Sequence, residues 1–105
     1  MVYRTEAGVP EDAAVVNLAT AMRALQARLD NKSFNYIAGL HGAPGWYCWH
    51  HQASRRTSVQ ARLFLPWHRA YLWWLEQALR DQVDDAALVW WDWTITRRIP
   101  TSFSA

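Results

Sequence analysis

The sequence predicts a mainly α-helical domain. Two stretches of the 105 residues carry apolar side chains at alternating three- and four-residue steps, the spacing of one face of a helix. They are residues 11–29 and 66–82, and polar or turn-forming residues separate them. Apolar residues make up 51% of the chain and charged residues 19%, so the composition favours a packed core over intrinsic disorder.

The first helix is predicted over residues 11–29. Pro10 and the carboxylates of Glu11 and Asp12 suit its start, because proline fits a first helical turn and acidic groups favour the positive end of the helix dipole. One apolar face follows, formed by Val15, Leu18, Met22, Leu25 and Leu29. Polar residues 30–33 then end the pattern.

A shorter second helix is predicted to begin after Ser33, which suits an N-cap. It is expected to end at Gly39 or Gly42, with His41 at its C-terminal end. Residues 42–61 are predicted to be mostly loop because glycine, proline and polar residues dominate them.

The third helix is predicted to begin at Pro66, in its first turn, and to run to about residue 82. His68 continues the apolar face of this helix and is expected to point towards the core, together with Leu72, Leu75 and Leu79. Residues 87–93 predict a short extended segment, and the polar tail after it predicts loop.

Composition and charge argue against several classes of function. The net charge is +2 and the basic residues are scattered, so neither nucleic acid nor an anionic membrane surface is an expected partner. No apolar run is long enough to span a bilayer. The first twelve residues lack the apolar region of a secretory signal, which favours a cytoplasmic location. A single cysteine predicts no internal disulfide.

Eight tryptophans are many for a chain of this size. Each tryptophan buries a large area and carries an N–H that needs a partner, so the number indicates either a core shared with another chain or an aromatic site. Core packing is the favoured interpretation, over a substrate platform, for the tryptophans at positions 67, 73, 74, 90, 91 and 93.

The four histidines and the cysteine suggest a metal site. If His41, His68 and either His50 or His51 converge, three neutral imidazoles suit copper, zinc or iron, and a three-histidine zinc site stays open at this point. Cys48 has three interpretations: a small buried apolar residue, a thiolate ligand, or a residue modified by a neighbour.

The segments "FLPWHRAYLWWLEQAL" and "VWWDWT", preceded by "GLHGAPGWYCWH", closely resemble the first copper half of the type 3 copper proteins, which are tyrosinases, catechol oxidases and molluscan haemocyanins. The resemblance covers residues 41–94. It implies that residues 1–105 form the CuA half of a tyrosinase-like four-helix-bundle dicopper domain with long loops.

The resemblance implies that His41, His50 and His68 bind the first copper, CuA. His51 is the rival of His50 for the second position. In several members of the family a Cys-x-His pair is joined by a thioether, and Cys48 with His50 is the candidate pair here. A thioether would hold one imidazole in a single orientation. Arg69 and Asp92 match family positions that look structural, and we expect Arg69 to pair with Asp92 or Glu76 behind the ligands.

The sequence departs from the family pattern in two ways. The stretch "QASRRTSVQAR" makes the connection to the third helix longer than in most members, either as a surface loop or as a loop that shapes substrate entry. A complete type 3 site holds two copper ions on six histidines, whereas these residues contain four histidines and no second His-x-x-x-His helix. The CuB half is therefore absent from the sequence, and a second polypeptide that carries the CuB histidines is expected as a partner.

The function that the resemblance implies is the copper-dependent oxidation of phenols and o-diphenols to o-quinones by dioxygen. The chain would bind one of the two copper ions and act only when complemented. The alternatives are an o-aminophenol oxidase, an oxygen carrier with a blocked substrate path, and a truncated or mononuclear copper-binding module. Because imidazole must be neutral to bind, copper loading is expected to fall as the pH falls.

Overall fold

The computed structural model of the chain describes residues 2–42 and 58–103, and for residues 58–61 it describes the backbone alone. The described residues form three α-helices: α1 spans Ala13–Ala27, α2 spans Phe34–Gly42 and α3 spans Ser58–Arg80. A short 3₁₀ helix, Thr101–Phe103, lies in the tail. The prediction of a mainly helical fold is confirmed.

The core lies where the three helices meet. Its buried side chains come from each helix and from the turn after α3, and they are Ala21, Leu25, Ile37, Leu75, Ala78, Leu79 and Ala86. Leu25 and Leu79 are the largest fully buried side chains in the described part of the chain. The apolar faces read from the sequence on the first and third helices therefore pack against each other, with α2 at their side.

Helix α1 is shorter than predicted by two residues at each end. Arg28 already has extended backbone angles, φ −75° and ψ 151°, and its N–H donates to the Leu25 carbonyl. Leu29, predicted as the last member of the apolar face, is fully exposed as a result. That part of the prediction is wrong, because the chain leaves the helix before another turn can bring Leu29 to the core.

Helix α2 begins where the sequence predicts. The Ser33 hydroxyl accepts a hydrogen bond from the Tyr36 N–H at 3.1 Å, which is the N-cap interaction that satisfies a free donor of the first turn. Ser33 is buried, so this hydrogen bond is shielded from water. The helix continues to Gly42, the later of the two predicted ends, and so includes His41.

Helix α3 begins eight residues before Pro66, so the prediction that Pro66 lies in its first turn is wrong. Pro66 lies inside the helix and, lacking an N–H, it cannot bond the carbonyl four residues earlier. Residues 58–61, which the sequence predicts as part of a loop, belong to this helix. His68 is consequently a mid-helix residue, with α3 structure on both sides of it.

The segment after α3 is partly extended, as predicted. Trp90 pairs with Glu6 in an isolated parallel bridge. The Trp90 N–H donates to the Thr5 carbonyl at 2.9 Å, and the Ala7 N–H donates to the Trp90 carbonyl at 2.7 Å. This pairing joins the N-terminal segment to the chain that follows α3.

Glu76 anchors the same junction from α3. Its carboxylate accepts two hydrogen bonds from the Arg4 guanidinium, at 2.7 and 3.0 Å, and one from the Leu88 N–H at 3.0 Å. Arg80, one turn further along α3, lies 3.9 Å from the same carboxylate. Burial raises the pKa of Glu76, but these hydrogen bonds and positive charges outweigh it, so the pKa lies below its ordinary value.

The tryptophans of the second half of the chain are not part of this core. Trp67 is half-buried and stacks on Tyr71, whereas the side chains at positions 73, 74, 90, 91 and 93 are exposed, Trp93 by 70%. The prediction that they pack in the core is therefore wrong for this chain taken alone. The described helices are too few to cover both faces of α3 and the segment after it.

Candidate metal centre

His41 and His68 come together at the contact between α2 and α3. His41 is the penultimate residue of α2, and His68 lies near the middle of α3. Their Nε2 atoms are 3.1 Å apart, and the rings meet edge to face with centroids 5.3 Å apart. The Nε2 atoms of two residues that are 27 positions apart in the sequence thus meet at one point.

The geometry of this pair fits a shared metal ion. If both nitrogens bound one ion at about 2.0–2.1 Å, the usual distance for imidazole on zinc, the 3.1 Å separation would correspond to an angle of roughly 95–102° at the ion. Such an angle suits two ligands of the same metal ion. A cation is also favoured at this position because the last turn of α2 carries the negative end of its helix dipole.

A hydrogen bond to the backbone assigns the protons of His68. Its Nδ1 lies 2.8 Å from the Phe64 carbonyl, and a carbonyl only accepts, so Nδ1 carries the hydrogen. In neutral His68 the Nε2 atom is then an acceptor, and its lone pair points towards His41. Without a metal, the His41 Nε2–H donates to that lone pair. With a metal, the same lone pair is a ligand, and the Phe64 carbonyl fixes the tautomer.

Aromatic side chains of α3 surround the pair. Phe64 lies 4.3 Å from the His68 ring, and Trp67 meets His68 edge to face at 5.0 Å. Trp67 also stacks on Tyr71 at 5.1 Å with an angle of 12° between the rings. These contacts restrict the orientations that the imidazoles can adopt. The sequence does not single out Phe64 or Tyr71 for this role, although their spacing from His68, four residues before it and three after it, puts both on the same side of the helix.

The remaining predicted ligands belong to the segment between α2 and α3. His50, its rival His51 and the thioether candidate Cys48 lie outside the described residues. Within residues 2–42 and 58–103, no three His, Cys, Asp or Glu side chains cluster as a metal site would require. The structure therefore brings two of the three predicted ligands together, and the third ligand and the thioether stay predictions.

The ion pair predicted for Arg69 is not formed in the described part of the chain. Glu76 is occupied by Arg4 and Leu88 instead. The Asp92 carboxylate accepts hydrogen bonds from the N–H groups of Thr94 and Ile95, at 3.0 and 3.3 Å, and from the Thr94 hydroxyl. Asp92 thus closes its own turn, and these hydrogen bonds lower its pKa. Arg69 is exposed and forms no salt bridge with Asp92 or Glu76, the two partners that the sequence suggested.

Arg69 instead lines a hollow on the outer face of α3. The hollow has a volume of about 470 Å³, and its walls are Leu65, Pro66, Arg69, Ala70 and Trp73. Leu65 and Trp73 are two turns apart on one helix face and are 73% and 51% exposed. Helix α3 therefore carries exposed apolar side chains on the face that contains Arg69.

Among the helices that the structure describes, none is both long enough and apolar enough to cross a membrane.

Comparison with known proteins identifies a family that the chain resembles. Residues 31–105 match the family model described as the common central domain of tyrosinase. The chain is 36% identical over 80 residues to hemocyanin 1 of Megathura crenulata, which covers 75% of this chain and 2% of that protein. It is 40% identical over 78 residues to a tyrosinase of Aspergillus oryzae, covering 63% of this chain and 13% of that protein.

A tyrosinase of Streptomyces glaucescens is 42% identical over 53 residues, half of this chain and 19% of that protein. The chain therefore spans less than a fifth of the length of each of these three relatives. No solved structure matches the chain.

Proposed function

This chain belongs to the type 3 copper family of tyrosinases and haemocyanins, and we propose from that premise that it binds copper for the oxidation of phenols and o-diphenols by dioxygen. The observation that supports the proposal most directly is the convergence of the His41 and His68 Nε2 atoms at 3.1 Å. Both residues are ligands that the family pattern implies, and their short Nε2–Nε2 distance supports the assignment.

His41 and His68 would hold one copper ion, with His50, or its rival His51, as the third ligand. Bound copper supplies the one-electron chemistry and the reaction with dioxygen that side chains cannot supply. The contribution of the protein is to present neutral imidazoles in fixed tautomers. The Phe64 carbonyl does this for His68, and the rings of Trp67 and Tyr71 contact the imidazoles of His68 and His41.

We further propose that the ligands of the second copper lie on a second polypeptide, from a separate gene or from the same precursor. Oxidation of an o-diphenol to an o-quinone removes two electrons, which matches two copper ions and six histidines, whereas these residues contain four histidines. The exposed apolar face of α3, together with the exposed tryptophans, is a surface on which the helices of the second half would complete a four-helix bundle.

Copper binding by the 105-residue chain is the first test. The chain is expected to bind one equivalent of Cu(I), and His41→Ala or His68→Ala should each lower the affinity at least tenfold. His50→Ala and His51→Ala form a matched pair: the first should lower the affinity and the second should not. A wild-type chain that binds no copper would refute the proposed site, and equal effects of all four substitutions would refute the ligand assignment.

Oxidase activity is the second test. We expect the copper-loaded chain alone to leave catechol unoxidised, and to form o-quinone, measured by its colour, after a polypeptide with the CuB histidines is added. Full activity of the isolated chain would contradict the split arrangement. The haemocyanin match keeps an oxygen carrier as the second candidate, and an assembly that binds dioxygen reversibly but oxidises neither catechol nor o-aminophenol would favour it. Fewer than two copper ions in the assembly would favour a mononuclear module.

A further inference from the structure

The position of His41 depends on contacts outside its own helix. Helix α2 has nine residues, and His41 lies in its last turn. Helices of this length are marginal in water on their own, and the carbonyl groups of a last turn have no partners within the helix. A ligand at such a place would move with the fraying end of the helix unless another element held that turn.

Tyr71 of α3 holds the last turn of α2 in place. The Tyr71 hydroxyl donates a hydrogen bond to the Ile37 carbonyl at 3.0 Å. Ile37 lies four residues before His41, so its carbonyl is also the one to which the His41 N–H points in an α-helix. The tyrosine is therefore bound to the helical turn that ends at His41, and its ring lies 5.7 Å from the His41 imidazole.

The same side chain is linked to the second histidine. Tyr71 follows His68 by three residues on α3, which puts both on one face of the helix. Trp67 stacks on the Tyr71 ring and meets the His68 ring edge to face, so the tyrosine has little freedom to change its rotamer. One hydroxyl thus connects the turn of α2 that carries His41 with the turn of α3 that carries His68.

We infer that Tyr71 is a positioning residue for the metal centre: its hydrogen bond to the Ile37 carbonyl sets the separation between the Nε2 atoms of His41 and His68. Tyr71 itself binds no metal in this assignment, and it acts through His41. The inference rests on the proposed function only in naming copper as the ion. The geometric part, that the hydroxyl keeps the two imidazoles in contact, holds for the metal-free chain as well.

The decisive substitution is Tyr71→Phe in the full chain, which keeps the ring and removes the hydroxyl. The affinity for Cu(I), measured by competition with a chromophoric chelator, is expected to fall about tenfold, the lower end of the range for groups that orient a ligand. The Cu(II) electron paramagnetic resonance spectrum should change with it. Tyr36→Phe is the matched control: it is the same chemical change on α2, at a hydroxyl that makes no hydrogen bond within the described residues, and it should alter neither quantity.

The effect of Tyr71→Phe on Cu(I) affinity in the His41→Ala background distinguishes a positioning role of Tyr71 from a purely structural one. If Tyr71 acts through His41, Tyr71→Phe should change the Cu(I) affinity less than twofold once His41→Ala is present. The same tenfold loss in both backgrounds would overturn the proposal, as would a Tyr71→Phe chain with wild-type affinity and spectrum. 4-Aminophenylalanine at position 71 restores a donor to the Ile37 carbonyl and should restore the affinity. If the Tyr71→Phe chain does not fold, the 4-aminophenylalanine chain replaces it as the test.

A measurement without metal separates this inference from the proposed function. In the metal-free chain the ring protons of His41 and His68 should show a nuclear Overhauser effect, since the ring centroids are 5.3 Å apart. Tyr71→Phe should weaken it and Tyr36→Phe should not. A wild-type chain that binds no copper but shows this dependence refutes the copper site and supports the positioning role. If the nuclear Overhauser effect between His41 and His68 is as strong in the Tyr71→Phe chain as in the wild type, the positioning role is refuted, whatever the copper affinity.

Discussion

Replacing Glu76 with glutamine is expected to destabilise the chain by about 2–3 kcal/mol. Glu76 is 5% exposed and accepts three hydrogen bonds, two from Arg4 and one from Leu88. An amide keeps one acceptor oxygen, but its NH₂ group then faces an N–H donor of Arg4 or Leu88. The loss is therefore at least one hydrogen bond, together with the negative charge that strengthens the others.

The expected loss of stability depends on how deeply the Glu76 and Arg4 side chains are buried. A hydrogen bond to a charged group contributes about 1.5–3 kcal/mol, and removing one partner of a fully buried pair costs about 3–5 kcal/mol. The Glu76 side chain is 7% exposed but that of Arg4 is 43% exposed, so solvent screens part of the interaction. The range for a hydrogen bond to a charged group, about 1.5–3 kcal/mol, therefore applies instead of the range for a fully buried pair. With an unfolding entropy of about 2.1 cal/mol/K per residue, the expected decrease in Tm is roughly 9–14 °C.

The assay is a double-mutant cycle with Arg4→Met, measured by urea denaturation and thermal melting. We expect a coupling free energy of about 1–2 kcal/mol between the two positions, because each single substitution leaves the other charge without its main partner. The Lys32–Asp81 pair is the matched control. Its atoms are 2.9 Å apart, but both side chains are at least half exposed, so little coupling is expected.

The pH dependence provides an independent check. Because the pKa of Glu76 is lowered in the folded chain, its contribution to stability is complete above the unfolded-state pKa, about 4.3. That contribution is lost as the pH falls through the lower, folded-state value. The difference in urea midpoint between wild type and Glu76→Gln should therefore shrink below about pH 4.3. A coupling below about 0.5 kcal/mol, or a difference that does not change with pH, would refute the reasoning.

The other expected outcomes concern the core, a helix cap and a turn. Leu79→Ala should cost about 2–5 kcal/mol in urea denaturation, because the side chain is fully buried; a loss below about 1 kcal/mol would mean that the helices do not pack as described. Ser33→Ala should cost about 1 kcal/mol by losing the N-cap, with Ser33→Thr as the control that retains it; equal stabilities would contradict the cap. Asp92→Asn should leave copper content and Tm nearly unchanged, since an amide oxygen can still close the turn; a large loss of either would revive the ion pair with Arg69.

Local sequence signals predicted much of the helical framework. The N-cap at Ser33 and the apolar faces of α1 and α3 depend on residues within a few positions of one another, and the structure confirms them. The errors also have local causes. Pro66 was interpreted as a helix start, although proline also occurs inside a helix when the lost hydrogen bond is tolerated. Leu29 matches the period of α1 but comes after the point where the backbone leaves the helix.

Contacts between distant residues could not be predicted in the same way. Arg4 and Glu76 are 72 positions apart, and nothing in the spacing favours Arg4 over Arg69 as the partner of Glu76. The hydroxyl of Tyr71 finds the Ile37 carbonyl on another helix, 34 positions away. Sequence spacing shows which residues share a face of one helix, but the choice between several cations or carbonyls depends on how the helices pack.

By itself, the sequence determined that the chain is mainly helical, that it resembles the type 3 copper proteins, and that His41 and His68 are candidate ligands. These conclusions need only local spacing and residue type. Only the tertiary structure decided that the two Nε2 atoms meet at 3.1 Å, that Arg4 pairs with Glu76, and that the tryptophans after α3 face outwards. The reason is physical: the direction of a side chain follows from its own helix, but the group that it meets follows from the packing of all the helices together.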